Sequence, residues 1–150
     1  MGVIFMFKHL LLPTDGSELS NAAIRKGVGF AKECHARITG VSVTPEFHVL
    51  TFNTKMIEDT KKVFLAEGRA QAKANLALLK KWADEEGVTC DVEVAVSDHP
   101  YEAIIRAAES KGCDLIMMSS HGRHGAQAVL LGSETQKVLA HTRIPVLVHR

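Results

Sequence analysis

The chain lacks most of the features that disclose a function from composition alone. Eighteen Lys and Arg against seventeen Asp and Glu leave a formal charge of +1, so there is no excess of either sign with which to hold nucleic acid or an anionic membrane by bulk charge. Three cysteines, Cys34, Cys90 and Cys113, are an odd number with no CxxC spacing. That pattern argues against a disulfide framework or a zinc ribbon and fits a reducing compartment. The cysteines read as small buried hydrophobes. No apolar run is long enough to span a bilayer. The opening MGVIFMF is apolar but short, without the basic start and small-residue cleavage site of a signal peptide. Met6 stands where N-myristoylation requires Ser or Thr, and the expected location is the cytoplasm. Aromatics are few, and the one tryptophan, Trp82, is expected to pack against the sheet or a neighbour.

What is present is a core-forming chain of ordinary length. Its 150 residues, 46% of them hydrophobic, suit one domain spanning residues 1–150. Two kinds of segment alternate. HLLLPTDG, ARITGVSV, CDVEVAVS, CDLIMMSS and IPVLVHR are short, aliphatic or β-branched, and mostly bounded by turn formers, as strands buried on both faces are. Between them lie helical stretches. From Ser17 to His35, the residues Leu19, Ala23, Gly27, Phe30 and Cys34 share one face. From about Lys61 to Glu86, the residues Leu65, Ala72, Leu76, Leu79 and Ala83 do the same, and Gly87 supplies a left-handed stop. A third helix is expected from Pro100 to Gly112. The fourth is expected at Ser133, where SETQ reads as a capping box with Ser133 capping and Gln136 reciprocating.

This β-α-β-α-β-α-β-α-β order predicts an α/β fold, a doubly wound five-stranded parallel sheet of Rossmann-like order 3-2-1-4-5 with helices on both faces. The segment TPEFHVLTFNTKMIEDT after the second strand is the one long connection, and long connections are more often functional than inert. Ligands of such sheets bind at the carboxyl ends of the strands, where the winding reverses. Two connections there carry suitable chemistry.

The first is PTDGSE. Pro13, Thr14, Asp15 and Gly16 form a turn signature by themselves, since proline presets φ, Asp bonds nearby backbone and glycine tolerates positive φ. At the mouth of a sheet, Asp15 is also placed to accept from a ribose hydroxyl or to join a phosphate-bound Mg²⁺. The second is SSHGRHGAQAVLLGSETQKVL, residues 119 to 139. Its helix start offers free N–H groups and a positive dipole end to an anion, and Gly122, Gly125 and Gly132 remove Cβ atoms from a backbone that approaches phosphate. Arg123 is a cation inside the loop, suited to phosphate or to solvent. His121 and His124 have no further ligands at metal spacing and read as loop residues. GxxxxGK[ST] and GxGxxG are absent, which excludes the two commonest phosphate-binding fingerprints. GxSxG is absent too, and no nucleophile, base and orienter can be assigned, so catalytic residues are not expected.

A third pattern matches. The segments HLLLPTDGSELSNAA, GVSV and CDLIMMSSHGRHGAQAVLLGSETQKVLAHTRIPVLVHR resemble the universal stress protein family, and the resemblance runs over essentially the whole chain. Its ATP-binding members carry a glycine, two residues, a glycine, nine residues, then glycine and Ser or Thr. Laid on this chain, the pattern falls on Ser119, Gly122, Gly132 and Ser133, with serine in place of the first glycine. The resemblance further implies that Asp15 lies near the ribose and phosphates, that the backbone of Val43 meets adenine, and that Pro13 and Thr14 form the adjoining wall. If Ser119 needs positive φ, it carries a strain of about 1–2 kcal/mol; if φ is negative, its hydroxyl is harmless and able to donate to phosphate. ATP is the implied cofactor, with Mg²⁺ accompanying the phosphates. The implied role is a stress sensor or adaptor acting on an unknown protein partner. A family member that does not bind ATP, or a slow ATP hydrolase, are the alternatives. The last strand, RIPVLVHR, is apolar and expected at a sheet edge, where pairing with its own copy would protect it; the resemblance likewise implies a homodimer through that strand.

Overall fold

The computed structural model describes residue 2 and residues 4–49, 54–123 and 130–150. Within them, strands β1 (His9–Pro13), β2 (Arg37–Thr44), β3 (Cys90–Val96), β4 (Leu115–Ser119) and β5 (Val146–His149) alternate with helices α1 (Glu18–Cys34), α2 (Thr54–Glu85), α3 (Pro100–Lys111) and α4 (Ser133–His141). Every pairing is parallel and the order is β3-β2-β1-β4-β5, as the alternation of segments predicts.

The central strand explains the layering. Successive side chains of a strand point to opposite faces, so Leu10 and Leu12 join Leu115 and Met117 against Ile24, Val28, Leu79 and Ala83 of α1 and α2. Leu11 joins Ile116 and Met118 against Ile104, Ala107 and Val138 of α3 and α4. Leu10, Leu11 and Leu12 have no exposed surface at all, and burying each contributes about 1.5–3 kcal/mol. A parallel sheet needs this cover on both faces.

Two expectations about the helices are corrected. On α1, the buried face runs through Ser20, Ala23, Ile24, Gly27, Val28 and Ala31, rotated from the predicted stripe. Leu19, Phe30 and Cys34 are half-buried at its margin, because small residues let the helix seat closer to the sheet than the larger ones do. The caps are as local chemistry demands: Ser17 Oγ accepts from the Ser20 N–H, and His35 ends the helix at φ 54°. Helix α2 begins at Thr54, two turns before the predicted Lys61, so much of the expected long connection is helical. Its 32 residues span about 48 Å, but burial starts only at Ala72. Met56, Val63 and Phe64 in the first half are exposed, so no buried stripe marked its start. Trp82 packs at the edge of the α1–α2 cluster with the Arg25 guanidinium 4.9 Å from its ring centre.

At the amino end of the sheet, a polar relay lies under α3. The Thr39 hydroxyl donates to Asp91 Oδ1 at 2.9 Å, so its oxygen is left to accept from His9 Nε2–H at 2.7 Å. Burial, followed by the Arg37 charge, holds the His9 pKa below its ordinary value, against the pull of Asp91 and Asp114; Lys111 adds to the lowering. Near pH 6.5 the unfolded chain therefore binds more protons at this position than the folded one, and stability rises with pH. The stabilisation is present above the ordinary histidine value and is lost as pH falls below it. Urea unfolding at about pH 7.5 and about pH 5.5 is expected to show a lower midpoint at the acid end, and a smaller difference in His9→Gln; an identical difference in the variant would assign the effect to other groups.

Candidate nucleotide crevice

The winding reverses between β1 and β4, because the connection after β1 runs through α1 on one face of the sheet and the connection after β4 runs through α4 on the other. The carboxyl ends of these strands splay the β1–α1 and β4–α4 connections apart, and a cavity of about 440 Å³ opens between them. Its size is ordinary for a small-ligand site.

The predicted residues reach it from four places. Pro13, Thr14 and Asp15 come from the β1–α1 turn, Val43 from β2, Ser119, Gly122 and Arg123 from β4 and the loop after it, and Gly132 and Ser133 from the start of α4. Gly125 and His124 lie outside the described residues. His121 is buried, its Nδ1 3.1 Å from Ser120 Oγ, and is not among the residues that border the cavity.

Asp15 is the hub. Its Oδ1 accepts from the Ser17 N–H at 2.9 Å and its Oδ2 from the Arg123 N–H at 2.6 Å. The Arg123 guanidinium returns a bond of 2.8 Å to the Asp15 carbonyl. Behind the turn, Ser20 Oγ donates to Thr14 Oγ1 at 3.1 Å. One carboxylate thus ties the two connections that frame the cavity.

That contact gives the loop glycines a different reason from the predicted one. Neither Gly122 nor Gly132 is in the left-handed region. A Cβ on Gly122 would stand 2.8 Å from Asp15 Oδ2, and one on Gly132 would stand 3.2 Å from His121 Cα and the Ser120 carbonyl oxygen. Their lack of a side chain lets the loop lie against the protein. Ser119 is settled in the same way: it ends β4 in pairing with His149 of β5, it is absent from the residues with positive φ, and its hydroxyl donates to the His121 carbonyl at 2.7 Å. The left-handed strain does not arise.

The predicted capping box does not form. Gly132 is the N-cap of α4 and has no side chain to cap with, while Ser133 is the first helical residue. Gln136 Nε2 donates instead to the Leu131 carbonyl at 2.8 Å. The consequence is favourable for an anion, because a box would have engaged the N–H groups that open the helix. The adjacent Thr135 hydroxyl secures α4 to the strand, donating to the Ser119 carbonyl at 3.0 Å.

Other lining residues escaped sequence reasoning. Gly68, Gln71, Ala72 and Asn75 reach the cavity from α2; their i, i+3, i+4, i+7 spacing was the available signal, but a small and polar face does not read as a buried one. Glu134 lines the opposite wall, and its Oε2 accepts from the Tyr101 N–H at 2.9 Å, joining α4 to the start of α3. At the rim, the Glu46 N–H donates to Asp98 Oδ1 at 3.0 Å and His48 pairs with Asp98 Oδ2. The Glu46 bond is the leading cause that holds the Asp98 carboxyl below its ordinary value. Among the described residues, no three His, Cys, Asp or Glu side chains gather as a metal site, and no helix is long and apolar enough to cross a membrane.

An open parallel sheet with a crevice at its switch point defines an α/β protein of the doubly wound class, in which ligands bind at such crevices. The sequence model of the universal stress protein family matches residues 6–150, and the chain belongs to that family. Universal stress protein YxiE of Bacillus subtilis is 32% identical over 149 residues, covering 97% of this chain and all of the relative. The solved structure of protein MJ0577, from Methanocaldococcus jannaschii, superposes with a TM-score of 0.81 at 29% identity, covering 95% of each chain. The fold is also shared with a universal stress protein in complex with cAMP, TM-score 0.70 at 21% identity over 96% of this chain and 97% of that one. A member from Archaeoglobus fulgidus in complex with dAMP gives 0.67 at 15% over 98% and 100%.

Since Ser119 is unstrained, Ser119→Gly is expected to lower the unfolding free energy by about 0.5–1 kcal/mol, through chain entropy and the lost hydroxyl bond. A gain in stability in denaturant titration would show that the backbone there is strained after all.

Proposed function

We propose that the crevice binds ATP, with Mg²⁺ accompanying its phosphates, and that the protein works as a nucleotide-dependent sensor or adaptor in the stress response. The observation that carries the reading is the opposition, across one cavity, of the Asp15 turn and a helix start whose N-cap has no side chain. Phosphate suits that helix start, Val43 borders the adenine end, and Arg123 and Ser133 lie within the phosphate end. A divalent ion would be carried by the phosphates, with Asp15 the nearest hard oxygen donor. Adenine nucleotides in two relatives of the same fold agree with the ligand class. The chain's own residues supply binding and orientation; no nucleophile or general base is required.

One observation favours a second reading, that of a family member that does not use ATP. Both Asp15 oxygens are already engaged, and the Arg123 guanidinium, at the cavity wall, is bonded to the Asp15 carbonyl. In the ATP reading this latch opens as phosphate takes its place at the start of α4, and the altered surface around Asp15 and Arg123 is what a partner protein reads. Strand β5 lies at the sheet edge with Leu147 exposed, and a homodimer through it, in the cytoplasm, completes the proposal.

Calorimetric titration of nucleotide-free protein with ATP and Mg²⁺ is expected to give saturable heat, with binding weakened on the order of tenfold in Asp15→Ala. No heat and no thermal shift at millimolar nucleotide would leave the second reading. Leu147→Glu is expected to convert a dimeric mass in sedimentation to a monomeric one; a wild-type monomer would remove the dimer.

A further inference from the structure

We propose that Asn75, held by Gln71, reads a ribose hydroxyl of the bound nucleotide and selects ligands that bear it over the corresponding deoxy form. This deepens the nucleotide reading above and rests on it.

The placement of Asn75 is the starting point. Gly16, next to Asp15, has φ +80°, and a Cβ there would run into the Asn75 amide, first into Oδ1, then into Cγ at 2.9 Å and Nδ2 at 3.1 Å. The amide therefore lies directly on the turn that presents Asp15, although it comes from α2. Asn75 Oδ1 accepts from Gln71 Nε2 at 3.0 Å, one helical turn away. With the oxygen so engaged, Nδ2 is the group left to donate. Both side chains border the cavity, and Gly68 and Ala72 on the same face of α2 leave them room.

A sugar hydroxyl both donates and accepts. Asp15 offers only acceptors, and each of its oxygens, with one backbone N–H bound, keeps a further lone pair. Asn75 Nδ2 offers the complementary donor from the neighbouring helix. A pair consisting of a carboxylate and an adjacent amide N–H satisfies a hydroxyl in both senses, where the carboxylate alone satisfies one. With the base beside Val43 and the phosphates at α4, the sugar lies between them, against the Asp15 turn and α2. A deoxy sugar leaves a desolvated polar group without its partner, which is the strongest basis a small site has for rejecting an analogue.

The test compares ATP, 2′-deoxy-ATP and 3′-deoxy-ATP by calorimetry on the wild type, Asn75→Ala and Gln71→Ala. The wild type is expected to favour ATP about three- to tenfold over at least one deoxy form. Asn75→Ala is expected to bring that ratio to about one, and Gln71→Ala to reduce it by releasing the amide. The ratio is the readout, since a merely structural role for Asn75 would weaken all three ligands alike. If Asn75→Ala does not fold, Gln71→Ala, at an exposed helix position, decides. A wild type that binds all three equally, or variants that keep the wild-type ratio, would overturn the assignment while leaving nucleotide binding intact; a wild type that binds none would overturn the nucleotide reading itself.

Discussion

A parallel sheet cannot leave either face in water, and most of this molecule follows from meeting that constraint around β1. Leu10, Leu11 and Leu12 alternate between the two faces with no exposed surface, so helices must lie on both sides. With short connections and right-handed crossovers, the chain can cover both faces only by reversing its winding once, between β1 and β4. The reversal separates two loops at the carboxyl end of the sheet, and the crevice between them is the place where a ligand can reach backbone from both halves. The cavity is thus a by-product of burying three leucines.

What ties the two sides of the crevice together is electrostatic and local. The Asp15 carboxylate holds the Ser17 and Arg123 N–H groups, and Gly122 lets the loop come close enough for the second bond. The same groups are the ones a nucleotide would use. A charge-assisted bond to a partly exposed carboxylate contributes only about 1.5–3 kcal/mol, comparable with what phosphate could offer in exchange. Under the proposed function, competition between this internal bond and a ligand is the physical form that a nucleotide-dependent change would take.

The fold was legible because its signals are strong: short aliphatic runs against helical spacing, repeated in strict alternation. The turn at Asp15 and the loop around Gly122 and Gly132 were legible from residue type and spacing. The parts that were not share a cause. The first turns of α2 bury nothing, so their periodicity had no contrast to show. SETQ has the composition of a capping box, but the helix N-cap falls one residue earlier, at Gly132, so Gln136 turns to the Leu131 carbonyl while tertiary position draws Thr135 to the carbonyl of Ser119. Gln71 and Asn75 belong to the site only because α2 lies across β2 and meets the β1–α1 turn, a proximity that no local pattern encodes. Ser119, alarming as a departure from a glycine, proves ordinary once its place in β4 is known.

The central claim, that the β1–β4 crevice takes a nucleotide with its phosphates at the start of α4, is tested most directly by a crystal structure of the protein grown with ATP and Mg²⁺. Density is expected between Asp15 and Ser133, with the base beside Val43 and phosphate oxygens about 2.7–3.2 Å from the first N–H groups of α4. A crevice without nucleotide and with Arg123 still bonded to Asp15, or nucleotide bound elsewhere on the surface, would contradict it.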